Sequence, residues 1–306
     1  MQRGPFIHPL KIGVSWYDIM KKKRRKDRSD GYYLYDADPM HKFMPYLMPK
    51  RTESEVFLTE SIDVSNVLKY LERKKAEDGN NVTLFSLLMA ALVRTFALRP
   101  DLNNFIAGHR LYRRHKIDIG FVVKKEFSDT GGETVVRMPF DPSMTVFEIS
   151  DKLYEKVNEF RTAESAGADN TIKKLSRYPR FLLKFVMAFL RFLNYYGKVP
   201  KGLIESDPNF ASAFVANMGS LKANAPFHHL NNWGTGSLFI TIGAIEDKVC
   251  AVDGNMEVRK CIDLAFTVDE RIADGYYFMK TIKKVKEILE DPSILETPFA
   301  PEASSE

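Results

Sequence analysis

The sequence predicts an α+β fold, because strand and helix patterns follow one another along a chain of 306 residues. Alternate residues from Val258 to Val268 are largely apolar, which is typical of a half-buried strand. From Phe278 to Leu289 the apolar residues instead recur at helical spacing, and Pro292 follows as a stop signal. The two patterns in direct succession indicate a strand that turns straight into an amphipathic helix.

The same signals predict further elements upstream. In chain order these are a strand from Val56, helices capped by Asp63 and Thr83, strands at 117–123 and 133–138, a helix opened by the capping box of Thr145 and Glu148, and an apolar helix at 180–196. Residues 1–50 are only weakly periodic. We therefore expect a basic N-terminal arm at 1–40, one large domain at 41–295 and a polar tail at 296–306.

The composition predicts a sizeable core, with 44% hydrophobic residues. The net charge of +5 is too modest to predict nucleic-acid binding, and the basic run Lys21–Lys26 lacks interleaved aromatic residues, so no nucleic-acid partner is expected. No signal peptide is recognisable at the N-terminus, which favours a cytoplasmic protein.

Two cysteines, Cys250 and Cys261, flank a predicted hairpin turn at Asp253-Gly254. They lie at unequal distances from the turn and are expected not to pair. A Cys-His metal site needs clustered ligands, which the sequence lacks, so no metal is expected.

The most informative segment is Asp269-Glu270-Arg271-Ile272-Ala273-Asp274-Gly275, at the predicted strand-to-helix turn. It resembles the signature of the acyltransferase domain of 2-oxo acid dehydrogenase complexes and of its relative chloramphenicol acetyltransferase. That signature reads His-x-x-x-Asp-Gly, and in the dehydrogenase branch Asp-His-Arg-x-x-Asp-Gly. This chain matches at Asp269, Arg271, Asp274 and Gly275, and has Glu270 at the histidine position.

The resemblance extends from about residue 40 to residue 292, through ordered segments at 83–103, 117–123, 214–219 and 238–244. It implies a two-layer α+β sandwich of the chloramphenicol acetyltransferase-like type, with a mixed sheet flanked by helices. It also implies a homotrimer with active sites between subunits, and coenzyme A thioester as co-substrate. No segment resembles a lipoyl domain.

Two functional positions of the family are replaced. The family's histidine base falls on Glu270, and its oxyanion-binding serine or threonine falls on Ala216. By resemblance Asp269, Arg271, Asp274 and Gly275 are structural. In the family this Asp ties the turn down through an arginine; Asp274 is expected to inherit that structural role, with its partner in this chain left open.

Acyl transfer from a thioester needs a base for the acceptor and donors for the oxyanion. A carboxylate is a weak base at neutral pH, although burial strengthens it, so Glu270 is one candidate. The alternative role of Glu270 is an ion pair, either with Arg271 or with another subunit. His228 and His229 are the other candidates, with an imidazole oriented by Glu270. Asn217 or the backbone N–H of Gly219 would bind the oxyanion.

The segment 180–196 is aromatic and aliphatic apart from Arg180, Lys184 and Arg191, which form one narrow basic stripe on a helix. Packing against protein is one interpretation. Contact with a membrane surface, assisted by Lys21–Lys26, is the other, and it would make the protein peripheral to a membrane.

The leading functional hypothesis is an acyltransferase with an atypical site that uses a coenzyme A-type thioester and a small acceptor. The alternative is a catalytically inactive trimer of the same fold that acts as a scaffold or membrane-surface assembly protein.

Overall fold

The computed structural model describes residues 24–78, 82–124, 133–162 and 177–300, and shows an α+β fold with a mixed sheet and flanking helices. The strands are β1 Gly31–Tyr33, β2 Glu55–Asp63, β3 Asn104–Ala107, β4 Arg110–Arg114, β5 Ile117–Lys124, β6 Glu133–Phe140, β7 Ala213–Asn217, β8 Leu238–Val252 and β9 Asn255–Asp269. The helices are α1 Pro39–Leu47, α2 Ser65–Asp78, α3 Leu84–Leu98, α4 Val146–Thr162, α5 Arg180–Tyr195, α6 Lys201–Ser206 and α7 Gly275–Glu290.

The main sheet has the strand order β2-β9-β8-β7-β5-β6. Strand β7 runs parallel to both β8 and β5, and the other neighbours are antiparallel. A second, antiparallel sheet has the order β1-β4-β3. The mixed sheet therefore matches the architecture that the family resemblance implies.

One face of the main sheet carries the core. Strand residues of this face, such as Phe121, Val215 and Phe266, form one apolar cluster with residues of α2, α3, α4 and α7. Helix α3 is buried along almost its whole length, as its apolar composition predicts. The helices thus form one layer and the sheet the other.

The opposite face of the main sheet carries a row of aromatic and small residues. Phe57, Thr267, Phe239 and Phe214 are successive partners across β2, β9, β8 and β7. The segment after β7 crosses this face, with the Phe227 ring against Phe57 and the His228 ring stacked on Phe239. The loop that holds the predicted histidines is therefore part of the covering of the sheet.

The local signals predicted the long elements correctly. Thr83 accepts a hydrogen bond from the Ser86 N–H, and Thr145 and Glu148 bond each other's backbone N–H groups. The structure also contains α1, β1, β3 and β4, which the sequence did not predict. These elements are short, and β3 and β4 have no alternating pattern because nearly every residue in them is buried.

The two cysteines do not form a disulfide, as predicted, but they lie closer together than their positions in the hairpin indicate. Their sulfur atoms lie 3.7 Å apart, and both thiols are free. In the β8–β9 register Cys250 faces Glu257, four residues from Cys261, and Lys248 likewise reaches Asp263 across the same offset. A strongly twisted two-stranded ribbon brings such diagonal residues together. Burial raises the pKa of the Cys261 thiol to about 11.

Helix α5 lies outside both sheets and has no buried residue. Among the residues that the structure describes, no helix is both long enough and apolar enough to cross a bilayer. The turn at 128–132, the polar segment 165–170, Lys21–Lys23 and the end of the tail lie outside the described residues.

Candidate active site

The strand-to-helix turn begins where β9 ends at Asp269 and α7 begins at Gly275. Asp274 is the N-cap of α7, and its carboxylate accepts a hydrogen bond of 2.7 Å from the Tyr277 N–H. The exposed N–H groups of the first turn are thereby partly satisfied. The partner of Asp274 that the sequence left open is thus a backbone N–H of α7, and not an arginine.

The residue that an arginine does hold is Asp269, which is completely buried. Arg271 donates to both of its carboxylate oxygens, at 2.7 and 2.6 Å. The Arg271 N–H and the Ser54 hydroxyl also donate to this carboxylate, at 3.2 and 3.0 Å, and the Arg51 guanidinium lies 3.6 Å away. This buried cluster of Asp269, Arg271, Ser54 and Arg51 fixes the end of β9 against the start of β2.

The buried cluster also connects distant parts of the chain. Arg271 donates to the Met48 carbonyl, and Arg51 donates to the carbonyls of Asn231, Gly234 and Ile106. Burial, opposed by the charge of Asp269, lowers the pKa of Arg51 to about 10. Two guanidinium groups around one carboxylate leave the cluster with an excess of positive charge. Glu270 lies between two members of this cluster, Asp269 and Arg271, in the sequence.

Glu270 is half-buried, and its position is set by the backbone. Its N–H donates to the Ser54 carbonyl at 3.0 Å. Within the described part of the chain its carboxylate has no hydrogen bond or ion pair. The alternative ion pair with Arg271 was wrong, since that guanidinium already bonds Asp269 and the Met48 carbonyl. The alternative ion pair with another subunit stays a prediction. Glu270 therefore presents a free carboxylate on a rigid turn.

His228 and His229 lie at the same end of the sheet as Glu270. Leu230, which follows His229, donates its N–H to the Glu55 carboxylate at 2.5 Å, and Glu55 is the strand partner of Asp269. The two imidazoles stack on each other and are exposed. Neither bonds to Glu270 in the described structure, so the predicted carboxylate–histidine pair is not formed within one chain.

Ala216 and Asn217 lie at the other end of the sheet. Ala216 is the partner of Thr241, which is the partner of Ala265, and Glu270 comes five residues later. At about 3.3 Å per residue this offset corresponds to about 17 Å along the strands. One chain therefore cannot bring Asn217 and Glu270 to the same reacting atom.

The turn after Asn217 requires glycine at residue 219. A Cβ atom at this position would lie 2.6 Å from the Gly243 carbonyl oxygen, and Ser220 closes the turn by donating to the Asn217 carbonyl. The Asn217 side chain is exposed beside this turn. The two predicted oxyanion donors, the Asn217 side chain and the Gly219 N–H, therefore lie side by side at this turn.

Sequence reasoning missed Arg51 and Ser54, which complete the buried cluster. They lie 218 and 215 positions before Asp269 and carry no local pattern of burial. Neither Arg51 nor Ser54 can be assigned to the turn without the pairing of β2 with β9, in which Glu55 opposes Asp269.

A cleft of about 640 Å³ lies elsewhere, between β1, the start of β5 and α6. Its lining does not include Glu270, His228, His229 or Asn217. Its guanidinium groups already bond protein oxygens, Arg28 to Asp30 and Arg114 to the Phe210 carbonyl. Among the described residues, no group of three or more His, Cys, Asp or Glu side chains is arranged to hold a metal ion.

Comparison with known proteins relates this chain to acyltransferases. The family model for the 2-oxoacid dehydrogenases acyltransferase (catalytic domain) matches residues 46–169 and 207–296. The lipoamide acyltransferase component of the branched-chain alpha-keto acid dehydrogenase complex of Bacillus subtilis is 21% identical over 248 residues, which cover 79% of this chain and 48% of the relative. The chain thus spans about half the length of the curated relatives it matches.

Two solved structures show the same fold. Dihydrolipoamide acetyltransferase of Azotobacter vinelandii superposes with a TM-score of 0.56 at 16% identity, covering 86% of this chain and 94% of that one. That structure addresses the role of a serine, a histidine and, four residues later, an asparagine in the catalytic mechanism of that enzyme. Chloramphenicol acetyltransferase superposes with a TM-score of 0.54 at 12% identity, covering 85% of this chain and 99% of that one.

Proposed function

The chain belongs to the family of 2-oxoacid dehydrogenase acyltransferase catalytic domains, and from this premise we propose that it transfers an acyl group from a coenzyme A-type thioester to a small acceptor through a rearranged active site. The observation that carries the proposal is the free carboxylate of Glu270 on the rigid turn. In the buried cluster that fixes this turn, both carboxylate oxygens of Asp269 accept hydrogen bonds. A turn held this firmly is suited to positioning a reacting group.

Glu270 occupies the position of the family's base, and Asp274 follows it by four residues. The carboxylate accepts the proton of the acceptor's hydroxyl, thiol or amine as that atom attacks the thioester carbonyl. The tetrahedral intermediate then collapses, the carbon–sulfur bond breaks, and the thiolate leaves and takes up a proton. One acyl group moves, and no oxidant or metal is needed for the balance.

The oxyanion donors in this proposal come from another copy of the chain. Asn217 is the partner of Ile242, which is the partner of Leu264, so it lies six residues, or about 20 Å along the strands, from Glu270 of the same chain. Asn217 and the Gly219 N–H therefore serve the Glu270 of a neighbouring subunit. A homotrimer places these two ends of the sheet against each other. His229 is the second candidate base, because the same interface can move its exposed ring toward Glu270.

Thermal unfolding with coenzyme A and with short, medium and long acyl-coenzyme A tests the thioester. A ligand at 100 times its dissociation constant stabilises the native state by about 2.7 kcal/mol. A shift in Tm that is selective for one acyl length supports the proposal. No shift with any of these ligands supports the alternative, a catalytically inactive scaffold with the same fold.

Turnover of the selected acyl donor then tests the base. We expect Glu270→Gln to reduce kcat by a factor of about 10²–10⁴, because the amide cannot accept the proton. Glu155→Gln is the matched control, since Glu155 is exposed on α4, remote from the turn in sequence. An unchanged rate in Glu270→Gln, with a loss in His229→Ala, assigns the base to the imidazole.

A further inference from the structure

Helix α5 presents an aromatic surface that no described part of the protein covers. Phe181, Phe185, Phe189, Phe192 and Tyr196 form this aromatic ridge, and the four phenylalanines are between 52% and 74% exposed. At about 100° per residue they fall within an arc of about 80°. The residues on the opposite side of the helix, such as Leu183, Met187 and Leu190, are partly buried.

A basic stripe runs along one edge of the aromatic ridge. Arg180, Lys184 and Arg191 are all exposed and lie next to it on the helical wheel. Between Arg177 and Ile204 the sequence has six lysines or arginines and no aspartate or glutamate. Lys201 pairs with Glu205 just beyond this stretch, whereas Arg180, Lys184 and Arg191 form no ion pair with a described carboxylate. The helix therefore combines exposed apolar area with unpaired positive charge.

The C-terminal end of α5 is fixed to the body of the protein. Arg28 donates to the Asn194 carbonyl at 2.7 Å and to its side-chain oxygen at 3.0 Å. Asp30 holds the same guanidinium from the other side at 2.8 Å. The Tyr195 hydroxyl lies 3.3 Å from the His109 ring nitrogen. The aromatic ridge is therefore presented in a defined orientation.

These contacts place two further features beside the ridge. His109 stacks on Tyr46 of α1, which is exposed together with Met40, Phe43 and Leu47. Arg28 follows the basic run closely in sequence. Within the run, Lys26 lies over the ring of Tyr33 and Arg24 over the ring of Tyr35. The apolar area thus continues from α5 to α1, with the described part of the basic run at its edge.

We propose that this face of the protein, the aromatic ridge of α5 with its basic stripe, docks on the surface of an anionic lipid membrane. Helices that lie in the membrane interface bury an apolar face at the acyl boundary and set cationic side chains against the headgroups. Lysine and arginine near an anionic leaflet each favour binding by electrostatic attraction. Tyrosine at the end of the ridge suits the same boundary.

The charge distribution favours lipid over a second copy of the chain. A two-fold contact would bring the same face of two subunits together, and with it two basic stripes without acidic residues between them. The segment 170–206 also lies outside the residues that the family model matches, so the family fold does not need α5 as a partner for its own elements.

Flotation with vesicles tests the proposal on the full chain. Vesicles of phosphatidylcholine alone are compared with vesicles that also contain phosphatidylserine, at low and at high salt. We expect binding to the anionic vesicles that weakens as salt screens the charges. Absence of binding to the anionic vesicles at low salt overturns the proposal.

Two variants separate the apolar and the basic contributions. Phe185→Ser with Phe189→Ser is expected to abolish flotation, whereas Tyr154→Ser, at an equally exposed residue on α4, leaves it unchanged. Lys184→Gln with Arg191→Gln is expected to weaken partition by about thirtyfold, since each charge near the surface contributes roughly a factor of five. Lys69→Gln with Lys283→Gln makes the same change in net charge elsewhere and serves as its control.

The mass of the oligomer without lipid shows whether the aromatic ridge binds a membrane or another copy of the chain. Light scattering of wild type and of the phenylalanine variant is expected to give the same oligomer, with unchanged far-UV circular dichroism. A smaller oligomer in the phenylalanine variant shows that the ridge is an interface between copies and overturns the proposal. So does flotation of both variants at the wild-type level.

Discussion

At the scale of single residues, two buried ion pairs decide where the functional surfaces lie. Asp269 and Arg271 hold the turn that presents Glu270, and Asp30 and Arg28 hold the end of α5. Both pairs are formed between residues two positions apart, yet each also bonds a remote segment, Ser54 in one case and Asn194 in the other. A buried pair of this kind is costly to break, because the remaining charge stays in a poorly solvated site.

We expect Asp269→Asn to lower the free energy of unfolding by about 3–5 kcal/mol, because it leaves Arg271 and Arg51 buried without a counter-charge. Urea denaturation at neutral pH measures this loss. Asp151→Asn, at an exposed carboxylate on α4, is the control and should change stability little. A loss below about 1 kcal/mol in Asp269→Asn contradicts the role given to the buried cluster.

The Asp30 carboxylate predicts a pH dependence. Burial alone raises its pKa, but the charge and hydrogen bonds of Arg28 outweigh burial and hold the pKa below its ordinary value of 3.8. The stabilisation is therefore fully present above pH 3.8 and is lost as the pH falls through the lower pKa of the folded state.

We therefore expect Asp30→Asn to lose about 3 kcal/mol of unfolding free energy at neutral pH. The difference in unfolding free energy between Asp30→Asn and wild type should shrink when the pH falls below 3.8, the pKa of an ordinary aspartate. Unfolding curves of both proteins across this range measure it. A difference that stays constant down to the most acidic pH shows that the carboxylate does not act through its charge.

At the scale of elements, the helix N-cap and the close approach of two strand ends shape the site. Asp274 caps α7 directly after the buried cluster, so the turn between them has little freedom. At the other end of the sheet, Gly219 allows the turn after β7 to lie against Gly243 of β8. Asp274 and Gly219 thus stabilise the two element ends, and neither residue is part of the apolar periodicity that predicts the strands and helices.

Replacing the cap isolates its contribution. We expect Asp274→Ala to cost about 1 kcal/mol of unfolding free energy, because the Tyr277 N–H loses its acceptor. Asp274→Asn should restore most of this stability, since asparagine caps helices as well as aspartate does. Denaturant titration of the two variants compares them, and an equal loss in both would show that charge at the turn matters more than the hydrogen bond.

At the scale of the whole molecule, the candidate site is divided. Glu270 lies at one end of the sheet and Asn217 at the other, and the register of β7, β8 and β9 keeps them apart. The proposed reaction therefore belongs to an assembly of subunits. Helix α5 and its aromatic ridge are held separately, by Arg28 and His109.

Mixed oligomers test the divided site. Glu270→Gln and Asn217→Ala are each expected to lose activity, the latter by about 10²–10³ when one oxyanion donor is removed. Coexpression of the two variants should form oligomers in which one interface pairs an intact Glu270 with an intact Asn217. Turnover above that of either variant alone is the expected result. Activity that never exceeds the sum of the separate variants contradicts a site shared between subunits.

The sequence by itself determined the fold family, the long elements and the position of the motif at Asp269–Gly275, because apolar periodicity, helix caps and motif spacing are local properties of a chain. It also identified α5 as an apolar helix with a basic stripe. Only the tertiary structure decided that Asp269, and not Asp274, is held by arginine, since Ser54 and Arg51 reach it through the pairing of β2 with β9. Strand register likewise separated Asn217 from Glu270, and long-range hydrogen bonds left the aromatic ridge facing outward. Register and long-range contacts depend on which segments meet in space, and that information is not carried by any local pattern.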